Sequence, residues 1–132
     1  MSNSKVTVRS QILYTDAYSQ NAAVNVTVEA PYQAQNHGSI DIPDTTGAGS
    51  YDIPFGSVTS ATCVTVRNFT GQPVNITVNG GDLAYTGLAD GKSFLLTLEA
   101  MPDTAIAAVQ VTTLSTQTGA GHIAYDVWGD PV

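Results

Sequence analysis

Two histidines, one cysteine and eleven carboxylates are the residues of this chain that could do acid–base, nucleophilic or metal chemistry. His37 and His122 are far apart in sequence, and neither an HxH nor a CxxC spacing occurs, whereas a zinc site takes three or four such ligands at short spacings. Asp41, Asp44 and Asp52 lie near one another, as do Asp126 and Asp130. Loop carboxylates with carbonyls can hold calcium in a β-protein, but no EF-hand spacing is present and turns enrich Asp on their own account. Serines are plentiful, yet no nucleophile elbow or flanked histidine accompanies them, so a hydrolytic triad is not written in the sequence. The reading of the residues is therefore catalytic: none; cofactor-binding: none; metal: none. The chain is not expected to be an enzyme. Cys63 cannot form a disulfide within the chain. It is expected as a small buried or interface hydrophobe, because nothing nearby in sequence would lower a thiol pKa.

Weaker patterns have plain explanations. Asp44-Thr45-Thr46-Gly47-Ala48-Gly49-Ser50 is small and flexible, but a phosphate loop would need a lysine and a helix after it. Of the sequons at Asn25, Asn68 and Asn75, two simply follow the strand alternation of Asn and Thr with Val or Ile, and without an apolar leader none is expected to meet glycosylation machinery. Tyr14, Tyr18, Tyr32, Tyr51, Tyr85, Tyr125 and Trp128 could stack on sugar rings if they converged; spread along the chain, they read as core or rim residues.

These residues must be positioned by a chain of 132 residues carrying a net charge of −7 and only 11% charged side chains, against a usual share of about 25%. Threonine, serine, asparagine and glutamine fill the polar positions instead. Thr suits a pleated surface, and an uncharged polar surface is cheaply desolvated when a partner covers it. With Lys5, Arg9, Arg67 and Lys92 the only cations, direct nucleic-acid binding and adsorption to anionic membranes are disfavoured. No apolar run reaches membrane-spanning length, and MSNSKVTVRSQ lacks an apolar h-region, so synthesis in a cytoplasm is expected.

Period-two alternation dominates. Val6, Val8, Ile12 and Tyr14 share one parity, and Val24, Val26 and Val28 form a second run ended by Pro31. Tyr32 to Ser39 shows no period and reads as loop before a short strand at Ile40-Asp41-Ile42. Tyr51, Ile53 and Phe55 make an edge strand because Pro54 interrupts the run. The stretch from Ala61 to Gly81 is the clearest: Val64 and Val66, then Val74, Ile76 and Val78, around Asn68-Phe69-Thr70-Gly71-Gln72-Pro73. It is expected to form a β-hairpin. Asn79-Gly80-Gly81-Asp82 is a strong turn, Leu83 to Thr86 a short strand, and Ala89-Asp90-Gly91-Lys92 a turn before Phe94, Leu96 and Leu98. Met101-Pro102-Asp103 breaks the run. Val109 to Thr113 reads as strand, Ser115 to Gly121 as loop, and Ile123, Tyr125 and Val127 as the last strand. Eight to ten short strands without a helix indicate an all-β sandwich or barrel; the expectation is a single-domain antiparallel β-sandwich over residues 1–132, with residues 1–5 as a flexible N-terminal arm.

Ile53-Pro54-Phe55-Gly56-Ser57-Val58, the runs Val64 to Gln72 and Val74 to Gly80, and the terminal Ile123-Ala124-Tyr125-Asp126-Val127-Trp128-Gly129-Asp130 resemble small structural proteins of tailed bacteriophages. The resemblance covers roughly residues 50 to 130. It implies a jelly-roll-like β-sandwich and the role of a virion protein. Foremost among these is a capsid decoration (cement) protein binding the major capsid protein across capsomer junctions, as a homo-oligomer, with no nucleic acid, membrane or cofactor. A carbohydrate- or receptor-binding β-module of a phage tail appendage is the alternative. No catalytic or contact residue is carried over. Binding would then fall to edge strands, loops and the segment before Val6.

Overall fold

The computed structural model describes residues 4–15, 21–43, 48–98, 101, 105–114 and 120–131, with the backbone alone for 11–15 and 21–25. Asp44, Tyr18, residues 1–3, the expected connections at 16–20, 44–47 and 115–119 and the break at 102–104 lie outside these. Ten strands run in order: β1 (Lys5–Thr15), β2 (Asn21–Pro31), β3 (Ala34–Ile42), β4 (Gly49–Asp52), β5 (Ser60–Phe69), β6 (Val74–Val78), β7 (Leu83–Leu88), β8 (Ser93–Thr97), β9 (Val109–Thr113) and β10 (Gly121–Asp130). All pairs are antiparallel, and the described residues contain no α-helix.

The strands form two four-stranded sheets, β3-β10-β5-β8 and β4-β9-β6-β7, and a separate two-stranded ribbon, β1-β2. The pairing is nested: β3 lies against β10, β4 against β9, β5 against β8 and β6 against β7. The chain from β3 to β10 is thus one long hairpin folded back at Asn79–Asp82, where Gly81 and Asp82 donate their N–H groups to the Val78 carbonyl, each at 3.0 Å. The pairs β10·β5 and β6·β9 then roll this hairpin into two layers.

Alternation supplies the reason. Val64 and Val66 of β5, Ile123, Tyr125 and Val127 of β10, Val74, Ile76 and Val78 of β6, and Val109 and Val111 of β9 all point inward. They form one buried cluster with Ile42, Leu88, Leu96 and Ile106, which makes the two sheets a sandwich-like pair. A sheet that is apolar on one face must bury that face against another layer, and each Val or Ile so buried contributes about 1.5–3 kcal/mol.

Three expectations are corrected. β5 and β6 do not form a hairpin; they are central strands of different sheets, and Asn68 to Pro73 crosses between the layers. Alternation looks the same whether a strand pairs with its successor or faces it across a core, so the pattern could not separate the two. Tyr32 to Ser39 is not a loop either, because β3 begins at Ala34. Its inward positions are Asn36, whose Nδ2 donates to the Pro54 carbonyl at 2.8 Å, and Gly38, where a Cβ would lie 2.9 Å from the Tyr125 hydroxyl. The Tyr125 ring fills the space that an apolar side chain of β3 would have announced. The edge position expected near Pro54 holds, since β4 ends its sheet and stops at Asp52. Lys5, assigned to a flexible arm, instead opens β1 opposite Pro31.

Candidate functional site

Register places four cross-strand rows on the outer face of the β3-β10-β5-β8 sheet. They are Gln35–Trp128–Cys63–Thr97, His37–Asp126–Thr65–Leu95, Ser39–Ala124–Arg67–Ser93 and Asp41–His122–Phe69. The two histidines, more than eighty positions apart in the chain, therefore share one face, each beside a carboxylate. His37 stands on β3, not in a loop. Thr65 Oγ1 donates to Asp126 Oδ2 at 2.9 Å, and the half-exposed Arg67 guanidinium lies 4.0 Å from the same oxygen. The His122 ring stacks on Phe69 with centroids 4.9 Å apart. Among the described residues no three of His, Cys, Asp and Glu converge as a metal site would require.

Cys63 sits on this outer parity, yet it is fully buried. Next to it Thr62 is the extra residue of a bulge opposite Trp128 and Gly129, and its hydroxyl donates to the Pro31 carbonyl at the base of the ribbon, at 2.8 Å. Burial, reinforced by the Asp126 charge, pushes the thiol pKa up from 9.0 to about 11. Cys63 is thus a neutral thiol at physiological pH, as expected of a small hydrophobe.

The outer face of the other sheet is of a different kind. Its rows are Ser50–Thr112–Asn75 and Asp52–Gln110–Thr77–Ala84. The Ser50 and Thr112 hydroxyls are 3.4 Å apart, Gln110 Nε2 donates to Asp52 Oδ1 at 3.1 Å, and Asn75 Oδ1 accepts the Gly87 N–H at 2.9 Å. Asp52 is the one carboxylate in these otherwise uncharged rows.

Asn68 has a role that sequence reasoning missed. It is fully buried in the crossing between the layers. Its Nδ2 donates to the Gln72 and Leu88 carbonyls at 2.7 and 2.8 Å, and its Oδ1 accepts from Thr70 N and Oγ1 at 2.9 and 2.7 Å. Asn-x-Thr at a strand end before a Gly-Gln-Pro turn is the available signal: an Asx turn whose side-chain oxygen accepts from the residue two positions on. The Asn68 sequon, expected as an accident of composition, is a structural pin.

The β1-β2 ribbon completes the surface. Pairing puts Val6/Ala30, Val8/Val28, Ser10/Val26, Ile12/Val24 and Tyr14/Ala22 on one face, and Thr7/Glu29, Arg9/Thr27 and Gln11/Asn25 on the other. At its base Gln33 N donates to the Gly129 carbonyl at 2.8 Å, and a cavity of about 240 Å³ separates Val28, Ala30 and Pro31 from Thr62, Thr97 and Leu98. The cavity is apolar and away from both histidines.

No family model, no curated protein and no solved structure matches the chain. No helix among the described residues is long and apolar enough to cross a membrane.

Proposed function

We propose that this chain is a bacteriophage structural protein, a capsid decoration (cement) protein that binds the major capsid protein across capsomer junctions. The observation that carries the reading is the nested strand order, β3 with β10 inward to β6 with β7, divided between sheets β3-β10-β5-β8 and β4-β9-β6-β7. That order supports a jelly-roll reading, an architecture used by viral capsid and lectin domains. The resemblance of residues 50 to 130 to small phage structural proteins points the same way.

The polar lattice of Ser50, Thr112, Asn75, Gln110 and Thr77 gives such a protein a docking face. Several of its side chains are already held, Ser50 beside Thr112, Gln110 on Asp52 and Asn75 on the Gly87 N–H, so covering it costs little ordering entropy, and few charges must be desolvated. Each copy adds a modest contact, and many copies on a shell add up. On this reading the protein works in the virion after synthesis in a host cytoplasm, catalyses nothing and requires no cofactor.

The test is co-sedimentation with shells assembled from a tailed-phage major capsid protein, with the shell melting temperature as second readout. Saturable binding that raises the melting temperature, and is lost in Thr112→Lys, is the expected result. Protein that stays in the supernatant and leaves the shells unchanged sinks the reading.

A second reading, a carbohydrate- or receptor-binding module of a tail appendage, draws on the stacked Phe69–His122 pair on the outer face beside Asp41. Retention on a glycan array that disappears in Phe69→Ala would favour it.

A further inference from the structure

The tip of the rolled hairpin carries a reactive pair of residues. Asn79-Gly80 is the only Asn-Gly step in the chain. Asn79 is also the one non-glycine residue with positive φ among the described residues, at 52° beside 73° for Gly80. Two successive positive φ values are the I′ turn pattern, which favours both residue types. The same pair is chemically labile. An asparagine amide can be attacked at Cγ by the backbone nitrogen of the residue that follows, and glycine, lacking a Cβ, obstructs that approach least.

The fold engages both polar atoms of this amide. Oδ1 accepts the Ala107 and Ala108 N–H groups at 2.8 and 3.0 Å, and Nδ2 donates to the Ala105 carbonyl at 2.5 Å. The Asn79 N–H donates to the Ala108 carbonyl at 2.8 Å, one step past the last β6–β9 pair, Val78 with Val109. The segment that supplies these partners is itself anchored. Ile106 is fully buried, and its carbonyl accepts the Ala61 N–H at 2.8 Å. Cγ is therefore held toward residues 105–108, and they must let go before it can turn to the Gly80 nitrogen.

We infer that Asn79-Gly80 is a site of self-modification, kept silent by the 105–108 segment and released when that segment lifts away. The Gly80 nitrogen bonds to Cγ, its proton leaves with the amide nitrogen as ammonia, and a five-membered succinimide closes. Water then adds at one of the two ring carbonyls and the C–N bond on that side breaks, giving aspartate or isoaspartate. Solvent is the only co-reactant.

Neither product rebuilds the clamp. Aspartate keeps an acceptor for the Ala107 and Ala108 N–H groups, but it sets an oxygen where Nδ2 donated, against the Ala105 carbonyl. Isoaspartate routes the main chain through Cβ, one carbon longer, in a turn whose two central residues are matched to the strand twist. The change therefore runs one way and loosens the joint between β6 and β9, recording how often that joint has opened.

The inference is independent of the virion reading and needs no shell. The full chain is incubated at mildly alkaline pH, folded or in concentrated urea, and the Asn79 peptide is followed by mass spectrometry and isoaspartate detection. In urea Asn79 should convert ahead of the other asparagines, and in the folded chain at least about tenfold more slowly. Ile106→Val, which loosens the anchor without touching Asn79, should speed conversion in the folded chain. Ile123→Val, as fully buried but on β10, should not. Asn79→Asp, the product itself, should have a lower urea midpoint than the wild type. Equal rates in folded and unfolded chains, equal acceleration by the two valine variants, or an Asn79→Asp chain as stable as the wild type would overturn the assignment.

Discussion

At the residue scale, the consequential side chains are the ones that hold the layers in place. Asn68 satisfies two carbonyls, one amide and one hydroxyl from inside the crossing. Removing it takes a buried hydrogen-bond partner from each of those groups at once, so Asn68→Ala is expected to lower stability by about 3 kcal/mol. Urea unfolding followed by Trp128 fluorescence would show it as a lower midpoint at unchanged slope. Cys63 makes a second, pH-dependent prediction. Below pH 9 its thiol is protonated in both folded and unfolded chains and contributes no pH dependence. Above that the unfolded thiol ionises, while the folded one, with its pKa near 11, does not. The unfolded state then binds fewer protons, and stability falls as pH rises between these values, by at most about 1.4 kcal/mol per pH unit. The wild-type urea midpoint should fall more steeply than that of Cys63→Ala over this window. If the two decline in parallel, burial is not perturbing the thiol. The role of Asn68 was not plain in the sequence, whereas Cys63 was expected as a small buried or interface hydrophobe and is buried. The parity of Cys63 marked an outward position, and only the bulge at Thr62 and the ribbon base beside it show why the thiol is inaccessible.

At the scale of elements, the strands were legible and their partners were not. Val64/Val66 and Val74/Ile76/Val78 marked β5 and β6 directly, since period two is all a half-buried strand needs to declare itself. Which neighbours they take depends on contacts distant in sequence. β5 sits between β10 and β8, and β6 between β9 and β7, so the obvious local hairpin gives way to a crossing. Only the end of β3, Ile40 to Ile42, was read as strand; its first part was taken for loop because Asn36 and Gly38 occupy inward positions and no apolar row existed there to be read. The outer-face rows share this limit: His37 and Asp126 are neighbours only because β3 lies on β10. One glycine fixes how these strands end. A Cβ on Gly129 would meet the Ser60 carbonyl oxygen at 2.1 Å and the Ala61 Cα at 2.6 Å. Both obstacles are backbone in a bulge that cannot slide without unpairing β10 from β5. Gly129→Ala is therefore expected to cost about 2 kcal/mol or more, read as a lower urea midpoint. A substitution without effect would mean that the bulge yields easily.

At the scale of the whole molecule, the nested pairing makes most contacts remote in sequence. β3 must find β10, and the intervening strands must close first or wait. Folds of this kind refold in milliseconds to seconds, because loop-closure entropy is spent before the long-range pairs return it. Stopped-flow refolding of the full chain, with Trp128 as probe, is expected in that range; completion within microseconds would contradict the pairing order. The same rolled hairpin has a consequence on the ribosome. β3 begins at Ala34 and its partner β10 at Gly121, so at ~5–20 residues per second the first of them waits roughly 4–17 s for the second to be made. During that interval the nascent chain holds one half of each outer pair with nothing to zip against. The Thr- and Asn-filled outward positions, which keep half-made strands wetted on one side, then bear on the yield of folded protein as well as on the surface of the finished one.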